Sequence, residues 1–223
     1  MKTLSHSLGV LSFLMLYLGL VCLTPTYASG QHGATMALEA IDQLIEREKL
    51  HEALIKLKNI STHKKKEKAE VKIRIGRIYL QLGKPAKALI FFEAANFLTM
   101  ANGQAYLGLA QSLLRLGRLT QARRNANSAL REDPDLIAAQ LVIAKIDNRA
   151  GQIEIAHQRF KELLKNQPEN MSLVVAYAEF LSDRNQYYLA IELLKKFILK
   201  NPFSANAVDK LGQIYWLDGK KEQ

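Results

Sequence analysis

Hydrophobic residues recur along this chain with the spacing of amphipathic α-helices. Leu107, Ala110, Leu113 and Leu114 follow one another at intervals of three and four, which places them on one face of a helix. Polar residues fill the positions between them, and short stretches that contain Gly, Asn or Pro separate one such segment from the next. Because no stretch shows the alternation of a strand over a comparable length, the pattern predicts an all-α protein.

The helical pattern also repeats every thirty-four residues. Several independent sets of positions keep this period, which indicates a solenoid built from similar units. Met100 stands where the proline set would have its first member. The four sets are Gly83, Gly117, Gly151, Asn185 and Gly219; Gly76, Ala110, Ala144, Ala178 and Gly212; Ala88, Ala122, Ala156 and Ala190; and Pro134, Pro168 and Pro202.

Each set of repeated positions has a physical explanation in a pair of antiparallel helices. The sets that begin at Gly76 and Ala88 supply the small residues that two helices need where they cross closely. The set that begins at Gly83 follows the first helix, where a left-handed residue ends it, and Gly and Asn tolerate that conformation best. The prolines end the second helix. Large residues such as Phe92, Phe160 and Leu194 are expected to fill the space between units.

The pattern closely resembles the tetratricopeptide repeat (TPR) family. That resemblance implies an all-α, right-handed superhelical solenoid of antiparallel helix hairpins, with about five units plus a C-terminal half unit. The half unit is either a capping helix or the point at which a longer repeat protein is cut. The predicted segments are a degenerate first hairpin and basic linker at 29–68, four units at 69–102, 103–136, 137–170 and 171–204, and a half repeat or cap at 205–223.

The chain departs from the family pattern at a few positions. The early Trp of the family is absent, and Asp147 stands at a place that is normally apolar. We expect the Asp147 side chain to be partly exposed, and the alternative is a locally weak or functionally tuned site. In the arginine-rich stretch 113–134, we expect Arg115 to face the inner groove of the solenoid. The remaining arginines are expected on the outer, solvated side, namely Arg118, Arg123, Arg124 and Arg131.

The first twenty-eight residues have the layout of an export signal. Lys2 is followed by the apolar run Leu8–Leu23, then Pro25 and the small residue Ala28. We expect cleavage near Ala28 and a periplasmic or secreted protein. The alternative is an uncleaved signal that anchors the chain in the inner membrane. The single cysteine lies inside this segment, so the mature chain would have no thiol and no disulfide.

The formal charge of +10 is unevenly distributed. Residues 29–136 hold eighteen Lys and Arg against eleven Asp and Glu, whereas residues 137–223 hold twelve against ten. Such an excess favours anionic partners. The densest run consists of Lys64, Lys65, Lys66 and Lys68, which we predict to contact an anionic membrane or partner. A solvated linker is the alternative.

The sequence offers little for catalysis. His51 and Glu52 begin like a zinc-protease helix, but Ile55 stands where that motif has its second histidine. The glycines of the repeats are explained by packing and capping, and no nucleophile motif is present. We therefore predict no catalytic residue, no metal site, no cofactor and no enzymatic activity.

The TPR resemblance implies a binding groove lined by outward positions of the first helices. These positions give a polar, positively charged groove that suits an extended acidic peptide or an anionic glycan. Ile73, Leu107, Leu141 and Val175 would be its apolar neighbours, and Glu179 lies among the polar ones. The predicted groove residues are Arg77, Gln81, Gln104, Gln111, Arg115, Lys145, Asn148, Arg149 and Trp216.

These observations favour an exported scaffold that binds partner proteins in the assembly of envelope, secretion or exopolysaccharide machinery. One alternative is the accessory TPR portion of a larger envelope enzyme or polysaccharide synthase subunit. Another is a basic helical-repeat protein that binds nucleic acid. The export signal and the nearly neutral second half of the chain make nucleic acid the weakest of the three.

Overall fold

The structure, a computed structural model, describes residues 31–219, and side chains from residue 36 onwards. The predicted signal lies outside the described residues. Within that range the chain forms eleven helices and no strand. The helices are α1 (Gln31–Glu46), α2 (Leu50–Asn59), α3 (Lys65–Gln81), α4 (Pro85–Thr99), α5 (Gly103–Arg115), α6 (Leu119–Glu132), α7 (Ile137–Arg149), α8 (Ile153–Asn166), α9 (Met171–Ser182), α10 (Tyr187–Lys200) and α11 (Ala205–Gly219).

The chain divides into two compact units between Thr62 and His63. In the first unit, α1 and α2 pack as a hairpin that buries one apolar face of each helix, with Ile41 and Leu57 almost fully inaccessible. The remaining helices form the second unit, which contains the candidate site.

The second unit is a solenoid of helix hairpins. Helices α3 and α4, α5 and α6, α7 and α8, and α9 and α10 pack in pairs, and α11 packs on α9 and α10. The first helices of successive hairpins begin at Gly103, Ile137, Met171 and Ala205, thirty-four residues apart. The all-α solenoid of antiparallel hairpins predicted from the period is confirmed.

Left-handed residues end the first helices, as predicted. The φ angle is 68° at Gly83, 75° at Gly117, 77° at Gly151 and 61° at Asn185. The N–H of the next residue then donates to a carbonyl five residues back, for example from Lys84 to Tyr79 at 2.8 Å. These bonds satisfy carbonyls that a helix end would otherwise leave unpaired. Gly219 differs, because it is the last residue of α11.

Phe92 holds three helices together. Its side chain on α4 is fully buried in a cluster with Ile73 of α3 and Leu109 of α5. Gly76 and Gly108 provide the room for the ring, since a Cβ added at Gly76 would lie 2.8 Å from it and one at Gly108 only 2.2 Å. The predicted close packing at Gly76 is therefore confirmed, whereas Gly108 lies outside the repeated glycine set and was not predicted.

We expect Gly108→Ala to destabilise the second unit by about 1–3 kcal/mol, because the buried ring of Phe92 has to move. Gly212→Ala is the matched control on α11. The predicted packing role of Gly212 is wrong, since no atom lies within 4 Å of a Cβ built there. That substitution should be neutral or stabilise by up to about 1 kcal/mol through helix propensity. Urea unfolding followed by circular dichroism measures both, and equal effects would contradict the packing account.

Asp147 is buried, so the predicted partial exposure is wrong. Its side chain on α7 is 1% exposed and lies between two arginines. Arg123 Nη2 is 2.7 Å from Oδ1, and Arg159 Nε is 2.9 Å from Oδ2. Arg123, predicted on the outer, solvated side, is partly exposed and also pairs with this carboxylate. The carboxylate avoids the cost of burial because each of its oxygens accepts a charged hydrogen bond.

The lysine run is helical rather than a linker. Lys65, Lys66 and Lys68 lie in the first turn of α3, and Lys64 precedes it as the N-terminal cap residue. Glu67 supports this turn, because its carboxylate lies 3.4 Å from the Lys64 ammonium. All four lysines are exposed.

Candidate functional site

The first helices of the second unit line a cavity of about 560 Å³. Its walls come from α3, α5 and α7, and the start of α9 closes one end. Leu107, Leu114 and Leu141 give it an apolar floor, and two further polar groups come from Asn170 and Ser172. Four cationic side chains surround this floor, from Arg77, Arg115, Lys145 and Arg149.

The structure brings six of the nine predicted groove residues together around this cavity. A seventh, Gln104, lies next to them, because its Oε1 accepts a hydrogen bond of 2.7 Å from Arg77. Asn148 and Trp216 lie outside the lining. Binding by these residues stays a prediction. The six are Arg77, Gln81, Gln111, Arg115, Lys145 and Arg149.

Two of the groove arginines also connect neighbouring hairpins. Arg115 on α5 donates to the carbonyl of Leu80 on α3, and Arg149 on α7 donates to the carbonyl of Leu114 on α5. Both carbonyls lie near the C-terminal end of a helix, where a positive charge is favourable. These arginines therefore hold the walls of the groove in place as well as charging it.

A related contact joins the next pair of hairpins. Arg184, just after α9, donates to the Asn148 side chain on α7 and to the Phe180 carbonyl, and its guanidinium lies 3.9 Å from the centre of the Phe180 ring. Asn148 is thus a partner within the fold rather than part of the cavity. These contacts were not predicted from the sequence. The thirty-four-residue spacing of Arg115 and Arg149 was the available signal.

Lys145 is the central cation of the site. Its side chain is half-buried and also lines a second cavity of about 350 Å³ that is shared with α9 and α11. Burial lowers the pKa of Lys145 from its ordinary value, and Arg115 and Arg149 lower it further. Glu179 opposes this shift, but its carboxylate lies 2.8 Å from the Lys210 ammonium, so its charge is shared.

This arrangement suits an anion that brings apolar groups with it. Three guanidinium groups and a half-buried ammonium give a positive potential, and the leucine floor offers an apolar surface beside them. A carboxylate placed near Lys145 would stabilise the charged ammonium that burial disfavours. Among the residues that the structure describes, no three His, Cys, Asp or Glu side chains gather to hold a metal ion. None of the described helices combines the length and hydrophobicity needed to cross a bilayer.

Comparison with known proteins identifies the repeats. Models of the tetratricopeptide repeat match residues 69–96 and 96–137. The chain is also similar to the mitochondrial import receptor subunit TOM70 of Homo sapiens, with 26% identity over 160 residues. The matched part covers 68% of this chain and 26% of TOM70, so the chain spans about a quarter of the length of that relative. The chain therefore contains tetratricopeptide repeats.

Solved structures of repeat proteins share the fold. TTC0263, a thermophilic TPR protein of Thermus thermophilus, superposes with a TM-score of 0.70 at 18% identity, over 82% of this chain and 99% of TTC0263. The Cut9–Hcn1 structure of the APC/C matches with a TM-score of 0.62 at 15% identity, over 82% of this chain and 36% of the other. MamA 41-end from Desulfovibrio magneticus RS-1 matches with a TM-score of 0.55 at 18% identity, over 80% of this chain and 100% of the MamA chain. At these identities the likeness establishes the fold alone.

Proposed function

We propose that this chain of tetratricopeptide repeats is a non-enzymatic scaffold that binds acidic segments of partner proteins in the cavity between α3, α5 and α7. The observation that carries the proposal is the half-buried Lys145, placed among Arg77, Arg115 and Arg149 above an apolar floor. The similarity to TOM70, which is named as an import receptor subunit, is consistent with protein binding.

The shape and chemistry of the site favour an extended peptide over a free small anion. The cavity and the second cavity beside α9 and α11 share Lys145 and Ser172 in their linings, so consecutive residues of a peptide can occupy both. Leucine side chains in the floor suit apolar residues of the ligand, and the cations suit Asp or Glu. An anionic glycan would use the cations but would gain little from the leucines.

We also propose that the scaffold works outside the cytoplasm, in the assembly of envelope, secretion or exopolysaccharide machinery. The support is the sequence of residues 1–28, with its apolar run, Pro25 and Ala28. In this setting the repeats bring partners together rather than act on a substrate.

The groove can be tested with an acidic peptide that alternates Glu and Leu. We expect Lys145→Met to weaken binding by about 10- to 100-fold, because the variant removes the most buried of the four groove cations and keeps most of the length of the side chain. Lys161→Met on α8 is the matched control, since Lys161 is exposed and lies outside both cavities. Calorimetric titration measures all three affinities.

Charge reversal at Arg115 or Arg149 is a poorer test, because those side chains also bond the preceding hairpin. Such variants would also lose the contact between hairpins, so weaker binding would not separate the charge of the groove from the position of its helices. Equal affinities of the Lys145→Met and Lys161→Met variants would overturn the proposed site. If an acidic polysaccharide binds more strongly than the peptide, the partner is an anionic glycan and not an acidic protein segment.

A further inference from the structure

A strongly basic surface lies at the start of α3. Lys64, Lys65, Lys66 and Lys68 are all exposed within a single helical turn. Glu67, the acidic residue in this run, is close to Lys64, at 3.4 Å. The run as a whole therefore keeps a net positive charge that faces solvent.

The end of α4 exposes large apolar side chains. Phe97 in the last turn is 87% exposed, and Met100 just after the helix is 82% exposed. Ile90, two turns before Phe97 on the same face of α4, is 63% exposed. These residues contribute little to the core. Their exposed apolar side chains therefore indicate a surface that contacts another molecule.

The basic and apolar surfaces belong to one end of one hairpin. Helices α3 and α4 are antiparallel, so the start of α3 lies beside the end of α4. Ala69 near the start of α3 and Ala95 near the end of α4 are both fully buried in the cluster that joins these helices, with Leu98 packed against it. Four lysines and two exposed apolar side chains therefore share this edge of the solenoid.

The fold does not require apolar residues at this edge. At the place of Phe97 the next two hairpins have Arg131 and Lys165 and the last has Leu199, and at the place of Met100 all three have proline, at Pro134, Pro168 and Pro202. Met100 also has a φ angle of 24°, a backbone conformation that residues other than glycine rarely adopt. The sequence here departs from the pattern that would suit the fold best.

We propose that this edge docks on a membrane that contains anionic lipid. Lys65, Lys66 and Lys68 contact the headgroups, and Phe97 and Met100 insert at the boundary of the headgroups and the acyl chains. A basic cluster beside exposed apolar side chains is the combination by which peripheral proteins bind such surfaces. Nucleic acid would use the lysines but would leave Met100 and Ile90 unexplained. The proposal is independent of the groove.

The charge contribution is tested by sedimentation with vesicles. The full chain is mixed with vesicles of phosphatidylcholine alone, or of phosphatidylcholine and phosphatidylglycerol in equal parts. The difference between the two isolates the headgroup charge, because the apolar run Leu8–Leu23 can bind both. We expect replacement of Lys65, Lys66 and Lys68 by Gln to lower the partition coefficient on anionic vesicles roughly 100-fold. The control replaces the exposed Lys161, Lys165 and Lys196 by Gln and should lower it far less.

Insertion is tested by placing tryptophan at the edge. The single Trp216 is first changed to Phe, and Phe97→Trp is then compared with Phe203→Trp, since Phe203 is 98% exposed at the corresponding end of a hairpin without the lysine run. We expect a blue shift of the fluorescence on anionic vesicles at position 97 and a much smaller one at 203. Any of three results would overturn the proposal. They are equal fluorescence shifts at positions 97 and 203, equal losses of vesicle partitioning in the two lysine variants, and tighter binding of RNA than of anionic vesicles.

Discussion

Replacing Arg123 and Arg159 together by alanine will destabilise the second unit by about 3 kcal/mol, because Asp147 is then a buried carboxylate without a cationic partner. The expected loss is at the low end for a broken buried ion pair, since both arginines are partly exposed and their removal lets water approach. Urea unfolding followed by circular dichroism measures it. Either single substitution should cost less, because one charged hydrogen bond remains.

A third substitution shows that the lost stability comes from the unpaired charge. Leu113 and Leu181 occupy the place of Asp147 in the neighbouring hairpins, so Asp147→Leu is compatible with the fold. Added to the double variant, it should recover most of the lost stability, since apolar replacements of buried ion pairs are often neutral or stabilising. A triple variant as unstable as the double one would mean that the arginines act through packing instead.

Phe92→Ala should destabilise the second unit by about 3–5 kcal/mol, the usual cost of truncating a fully buried phenylalanine. The expected effect is large because the ring fills the space between α3, α4 and α5. Gly76 and Gly108 leave room for it because they lack a Cβ. Phe92 joins the first hairpin of the unit to the next one. Because each hairpin of a solenoid is stabilised mainly by its neighbours, losing this contact should weaken the whole unit.

Phe97→Ala on the same helix is the control. Its side chain is 87% exposed, so the free energy of unfolding should change by less than about 0.5 kcal/mol. Denaturant titrations of both variants provide the comparison. If the two substitutions cost the same, Phe92 does not hold the hairpins together as described.

The sequence predicted those features that depend on local backbone chemistry. Gly and Asn tolerate the left-handed conformation after a first helix best, so Gly83, Gly117, Gly151 and Asn185 could be identified by spacing alone. Likewise, α6, α8 and α10 each end two residues before a proline. The groove positions implied by the TPR resemblance were accurate enough that six of the predicted residues lie around one cavity.

Contacts between hairpins were harder to predict, because they depend on how helices cross. Asp147 looked like an exposed substitution, since nothing in its local sequence shows that Arg123 and Arg159 approach it from α6 and α8. Gly108 was overlooked because it meets Phe92 of the preceding hairpin rather than its own. Repeated sequence positions reveal contacts that every unit shares, but not contacts made once.

The groove combines residues at repeated sequence positions with contacts between hairpins. Its cations come from two repeated positions, one that holds Arg77 and Lys145 and one that holds Arg115 and Arg149. The second pair is partly occupied by carbonyl groups of the preceding hairpin. Lys145 differs because burial disfavours its charge and its anionic neighbour Glu179 is already paired. For this reason we expect peptide binding to depend more on Lys145 than on the total charge of the groove.

The most direct test of the account is to map where an acidic peptide binds. A Glu- and Leu-rich peptide that carries a benzophenone group is cross-linked to the full chain by light, and the attached residues are identified by mass spectrometry. The account predicts attachment on the cavity lining of α5 and α7, at residues such as Leu107, Gln111 and Leu141, with strong reduction in the Lys145→Met variant. Attachment mainly on the outer helices α6 and α8, unchanged by that substitution, would contradict it.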